Sequence, residues 1–80
     1  MNSSFSVIIA DDSDHEMVFA EIYWKNKFVA LVSQDEGPEA LRIELPGIDL
    51  DENQVLRTVN FAEFIEALHS AAKKLVGPPA

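Results

Sequence analysis

An 80-residue chain with 48% apolar residues, no cysteine and a formal net charge of −8 has enough hydrophobic content for a single core. That charge repels nucleic acids and anionic membrane surfaces, and the missing cysteines exclude disulfides, thiolate nucleophiles and Cys-ligated zinc. Intrinsic disorder requires low hydrophobicity together with high net charge, and only the charge is present.

The opening MNSSFSVIIADD lacks a basic start, and its apolar run is short, so no secretory signal is expected. Residues 5–10 (FSVIIA) are apolar and partly β-branched, and the polar run that follows ends them, which predicts a first strand. Residues 17–24 (MVFAEIYW) and 28–34 (FVALVSQ) predict two more, joined through Lys25, Asn26 and Lys27. Asn tolerates the positive φ of a tight hairpin, so these two strands are expected to pair antiparallel. Gly37-Pro38 marks a turn, and residues 41–45 (LRIEL) alternate, with Leu41, Ile43 and Leu45 on one face. Residues 55–59 (VLRTV) are expected as a short fifth strand.

The C-terminal segment predicts a helix over 61–76. Asn60 is a suitable N-cap with Glu63 three residues on, and Phe61, Phe64, Ile65, Leu68, Ala72 and Leu75 make one apolar stripe. Lys73 and Lys74 suit the negative end of the helix dipole, and Gly77-Pro78 is a stop signal. One domain over 1–80 follows: an α+β fold, a four- or five-stranded antiparallel sheet with one C-terminal helix on one face. A regular two-residue hairpin loop places Val18, Ala20, Ile22, Trp24, Val29 and Leu31 under the helix. Phe19, Glu21, Tyr23, Phe28, Ala30 and Val32 then form a second face too apolar for ordinary solvation. Strand one, the 46–54 loop or another chain is expected to cover it.

Ten of the fourteen acidic residues fall in three connections: Asp11, Asp12, Asp14 and Glu16; Asp35, Glu36 and Glu39; Asp49, Asp51 and Glu52. Asp49-x-Asp51-x-Asn53 begins like a calcium loop, but Gln54 stands where the loop needs Gly, and Asn60 where it needs a bidentate Glu. Asp12-x-Asp14-x-Glu16 also lacks the glycine, so both stretches read as solvated turns. His15 and His69 read as surface or boundary residues, because no nucleophile, orienting acid and oxyanion hole accompany them. No catalytic, cofactor or metal site is assigned. In an up-and-down sheet the first two acidic connections emerge at one end, with Lys25 and Lys27 at the other. The candidate partner-binding residues are Asp11, Asp12, Asp14, Glu16, Asp35, Glu36 and Glu39, together with Phe19, Tyr23 and Phe28 on the second face. For Tyr23 and Phe28 the reading is open between interface anchors and a cross-strand pair.

The stretch EIYWKNKFVALVSQDEG (residues 21–37), followed by LRIELPG and a C-terminal amphipathic helix, resembles small immunity proteins of bacterial polymorphic-toxin and contact-dependent growth-inhibition systems. The resemblance lies in the strand pattern and carries over no individual binding residue. It implies a protein that neutralises a cognate toxin by covering its active site or an essential surface; the missing signal and membrane-spanning segments make the cytoplasm the expected location, and the missing catalytic set makes an enzyme unexpected. An acidic inhibitor suits a basic toxin, a nuclease above all. The alternative is a homodimeric interaction or accessory subunit, with the second apolar face as its seam. Neither reading involves nucleic acid or membrane.

Overall fold

The computed structural model describes residues 4–48 and 50–76. Four strands, β1 (Phe5–Ala10), β2 (Phe19–Trp24), β3 (Lys27–Ser33) and β4 (Arg42–Glu44), form an antiparallel meander in that order, followed by helix α1 (Phe61–Val76). The α+β expectation holds, with four strands. The molecule is 17 Å through its thinnest dimension, the depth of one sheet and one helix.

Lys25 (φ 48°) and Asn26 (φ 71°) form the β2–β3 turn as a two-residue loop, with both central residues in the left-handed region, as the right-handed strand twist favours. Lys25 places its ammonium 4.6 Å from the Trp24 ring, a cation–π contact at the turn. Beyond the turn, Tyr23 pairs with Phe28, whereas Ile22 pairs with Ala30, so Val29 is an extra residue in a β-bulge. The bulge corrects the expected facing. Ala30 and Val32 join Ala20 and Ile22 under the helix, and Leu31 turns to the outer face beside Glu21. Residues 28–32 are all apolar, so their alternation cannot reveal a slip of one position.

Other strand limits shift for local reasons. Met17 and Val18 fall outside β2 because side chains satisfy their backbone: Met17 N–H donates to Asp35 Oδ1 at 3.0 Å, and Gln34 Nε2 donates to the Val18 carbonyl at 3.0 Å. The expected fifth strand is a single parallel bridge between Val55 and Phe28, closed by Phe28 N–H to Gln54 O and Leu56 N–H to Phe28 O, each 2.9 Å. β4 already occupies this edge of β3 at residues 31–33, leaving one position for residue 55, after which Leu56 and Val59 turn to pack against the core.

Helix α1 begins where its chemistry places it: Glu63 N–H donates to Asn60 Oδ1 at 2.9 Å, a cap that typically contributes about 1 kcal/mol. The stop signal at Gly77-Pro78 lies outside the described residues. The expected stripe is rotated, because the buried helix residues are Ala67 and Ala71, flanked by the partly buried Phe64, Leu68 and Leu75, while Phe61 is 80% exposed. Alanine on the contact line lets the helix approach Ala20 and Ala30 closely. The helix covers β1 and β2 and only touches β3. Ile43 and Leu45 alternate as predicted, yet nothing among the described residues covers them and they stay exposed.

Candidate partner-binding site

Successive reversals of the meander alternate between the two ends of the sheet, so the 11–18 and 34–41 connections emerge side by side at one end and the 25–26 turn at the other. The Met17–Asp35 and Gln34–Val18 hydrogen bonds tie them together. Within the first, Asp14 N–H donates to Asp12 Oδ1 at 2.9 Å, an Asx turn. In the second, Gly37 adopts φ 104°, a conformation open to glycine, while its N–H donates to Gln34 O at 2.9 Å.

His15 is the centre of this end. Its Nδ1–H donates to Asp12 and its Nε2–H to Glu44 of β4, each at 2.9 Å, and its ring lies 4.6 Å from that of Phe19. These two carboxylates, Glu44 first, push the imidazole up from 6.5 to about 9, so it is the two-donor imidazolium at neutral pH. The His15 hydrogen bond in turn holds Asp12 below its usual value. His15 is therefore a structural clamp from the first connection to the far edge of the sheet. Asp12 three residues earlier was a readable signal, but Glu44, 29 residues away, was not.

The clamp gives a pH signature. Below about pH 6.5 the folded and unfolded chains both carry the His15 proton, and between about 6.5 and 9 only the folded chain does. The His15 contribution is therefore complete below pH 6.5, declines as pH rises through this window, and is gone above about 9. Urea melts should show wild-type stability falling across that interval relative to His15→Gln. Parallel pH curves for the two proteins would remove the clamp.

All seven acidic candidates are exposed, and they are not equivalent. Asp12 belongs to His15, Asp35 caps Met17, and Glu36 lies 3.6 Å from Arg42. The side chains of Asp11, Asp14, Glu16 and Glu39 have no hydrogen-bond or ion-pair partner among the described residues. The third acidic connection leaves β4 toward the opposite end. There Arg57 pairs with Glu52 at 2.8 Å and donates to the Pro46 and Gly47 carbonyls, and the Glu52 carboxyl is lowered by that guanidinium. Asp49 lies outside the described residues.

The aromatic candidates do not join the acidic ones. Phe19 is on the outer face but only 3% exposed, under the His15 ring, and offers no contact surface. Tyr23 and Phe28 meet edge-on at 5.8 Å near the hairpin, beside Leu50, Gln54 and Val55, at the far end of the sheet from the acidic connections. Burial first, and the Glu21 charge second, raise the Tyr23 hydroxyl. Part of the 46–54 loop thus closes this corner of the second face, one of the covers expected for it. Among the described residues, no group of three or more His, Asp or Glu is arranged to hold a metal ion, and no helix is long and apolar enough to cross a membrane. Comparison with protein-family models, with curated proteins and with solved structures finds no match to this chain.

Proposed function

We propose that this protein is an immunity protein that binds a cognate bacterial toxin domain, a nuclease, and neutralises it by placing its acidic end over the basic substrate groove. The observation that carries the reading is the cross-tied pair of acidic connections, fastened by His15, Met17–Asp35 and Gln34–Val18. A preformed surface binds without the ordering cost of a flexible loop. Charges spread further apart than the Debye length of about 8 Å at physiological salt act separately, whereas clustered ones attract a basic surface together. The four uncommitted carboxylates present the kind of charge that substrate phosphates would bring to such a groove. The role is stoichiometric, with no catalytic step, and its place of action is the cytoplasm, where a nuclease toxin would meet its substrate.

The reading predicts that a nuclease-type toxin domain is encoded beside this chain's gene, and the test uses that domain. Co-expression should restore growth, and the purified pair should form a one-to-one complex without nuclease activity. A toxin that stays active and unbound in excess of this protein rejects the reading.

A further inference from the structure

We infer that Ile9, Met17 and Val18 form an apolar centre among the carboxylates of the acidic end, and that this centre seats on aromatic side chains in the floor of the toxin's basic groove. The inference rests on the proposed function and gives its surface a second part, the one that holds the complex together. Ala10 and Phe19 make the last rung of the β1–β2 ladder. Asp11 and Val18 come next on the two strands, with Ile9 one rung back and Met17 one residue further out. Glu16 directly precedes Met17. Met17 is 50% exposed, and Ile9 and Val18 are each 41% exposed. Apolar residues scattered singly over a surface are ordinary, but three at the mouth of one ladder, between Asp11 and Glu16, make a patch.

The fold fastens this patch instead of hiding it. Met17 gives its N–H to Asp35, and the Val18 carbonyl accepts from Gln34 Nε2, so both backbones are tied to the neighbouring connection while the side chains stay in water. Such ties remove the ordering cost that a loose loop would bring to binding. Ile and Val have few rotamers to lose, and Met adapts its shape to an uneven surface. Interface centres are depleted of charge and enriched in Met, with polar residues at the rim, and this end has that arrangement.

Charge selects the occupant. Asp11 and Glu16 flank the patch, and Asp14 and Glu39 lie in the same two connections. A second copy would bring these carboxylates against their own kind on a chain of net charge −8. A basic groove meets the rim with ammonium and guanidinium groups. Grooves that hold nucleic acid also carry aromatic side chains on which bases stack, and carboxylates cannot cover those. Ile9, Met17 and Val18 can. The two parts then divide the work: long-range charge sets how fast the proteins meet, and the desolvated apolar contact sets how long they stay.

The probe is the purified toxin domain that the proposed function places beside this chain's gene. Met17→Gln and Val18→Thr change polarity at exposed side chains with little change of shape, so the urea midpoint should stay at its wild-type value. Together they should raise the dissociation rate by about tenfold or more, with the association rate and its salt dependence within about twofold of wild type. In about 1 M salt, where the Debye length is about 3 Å, the wild type should keep measurable binding that the double variant loses. Alanine at the exposed aromatic residues of the toxin groove should cause the same loss, and adding it to the double variant should cost little more. A double variant that dissociates at the wild-type rate overturns the inference and leaves the proposed function standing, whereas a toxin domain that neither form binds ends both. Self-association of the wild type that Met17→Gln and Val18→Thr abolish also overturns it, because the patch then belongs to a second copy.

Discussion

Ile22→Ala should cost about 2–5 kcal/mol, toward the upper part of that range. Ile22 is the largest side chain with no solvent exposure, between Val7 on β1 and Ala30 on β3. The cost of such a truncation depends on whether the surroundings collapse into the space. Here Ala20, Ala30, Ala67 and Ala71 share the core, and methyl groups on fixed backbone have no rotamer that could fill it. Domains of this size lie near the low end of the usual range of about 5–15 kcal/mol, so the variant should be largely unfolded at 37 °C. Phe61→Ala is the control: a larger side chain is removed, but it is 80% exposed, so the change should stay within about 0.5 kcal/mol. Equal losses for the two substitutions in urea melts would mean that the core lies elsewhere.

Changing Asp11, Asp14, Glu16 and Glu39 together to Asn or Gln should slow association with the proposed toxin partner by roughly tenfold or more at low salt. The salt dependence of the rate should flatten, while the dissociation rate and the urea midpoint move much less. These four are chosen because none supports the fold through its side chain, whereas neutralising Asp12 would release His15 and confuse recognition with stability. Association rate and salt slope both at wild-type values would remove the acidic end as the recognition surface. The partly exposed Tyr23–Phe28 corner would then take its place.

The helix was legible to its end residues because its start is written locally, in the Asn60 cap and the apolar spacing that follows. The meeting of the two acidic connections followed from an up-and-down order of strands around the tight 25–26 hairpin. What escaped depends on contacts distant in sequence. The bulge at Val29 arises where two strands settle against each other, and a run of five apolar residues gives no sign of it. Phe19 looked like an exposed aromatic until His15, held by a glutamate 29 residues away, was seen to cover it. Leu41, Ile43 and Leu45 were legible as one face, but alternation reports a face and not whether anything lies on it, and Ile43 and Leu45 stay exposed.

The alanines between helix and sheet also bear on how this chain can drift in sequence. Ala20 and Ala30 on one layer and Ala67 and Ala71 on the other share one close-packed core. A larger residue at any of them pushes the layers apart, and in a close-packed interior such overfilling typically costs about 1–3 kcal/mol. Change there must therefore come as matched exchanges, one layer growing as the other shrinks. Surface residues of the acidic end are free of that restraint. Divergence should accumulate at the end that would meet a partner, over a helix–sheet spacing that hardly moves.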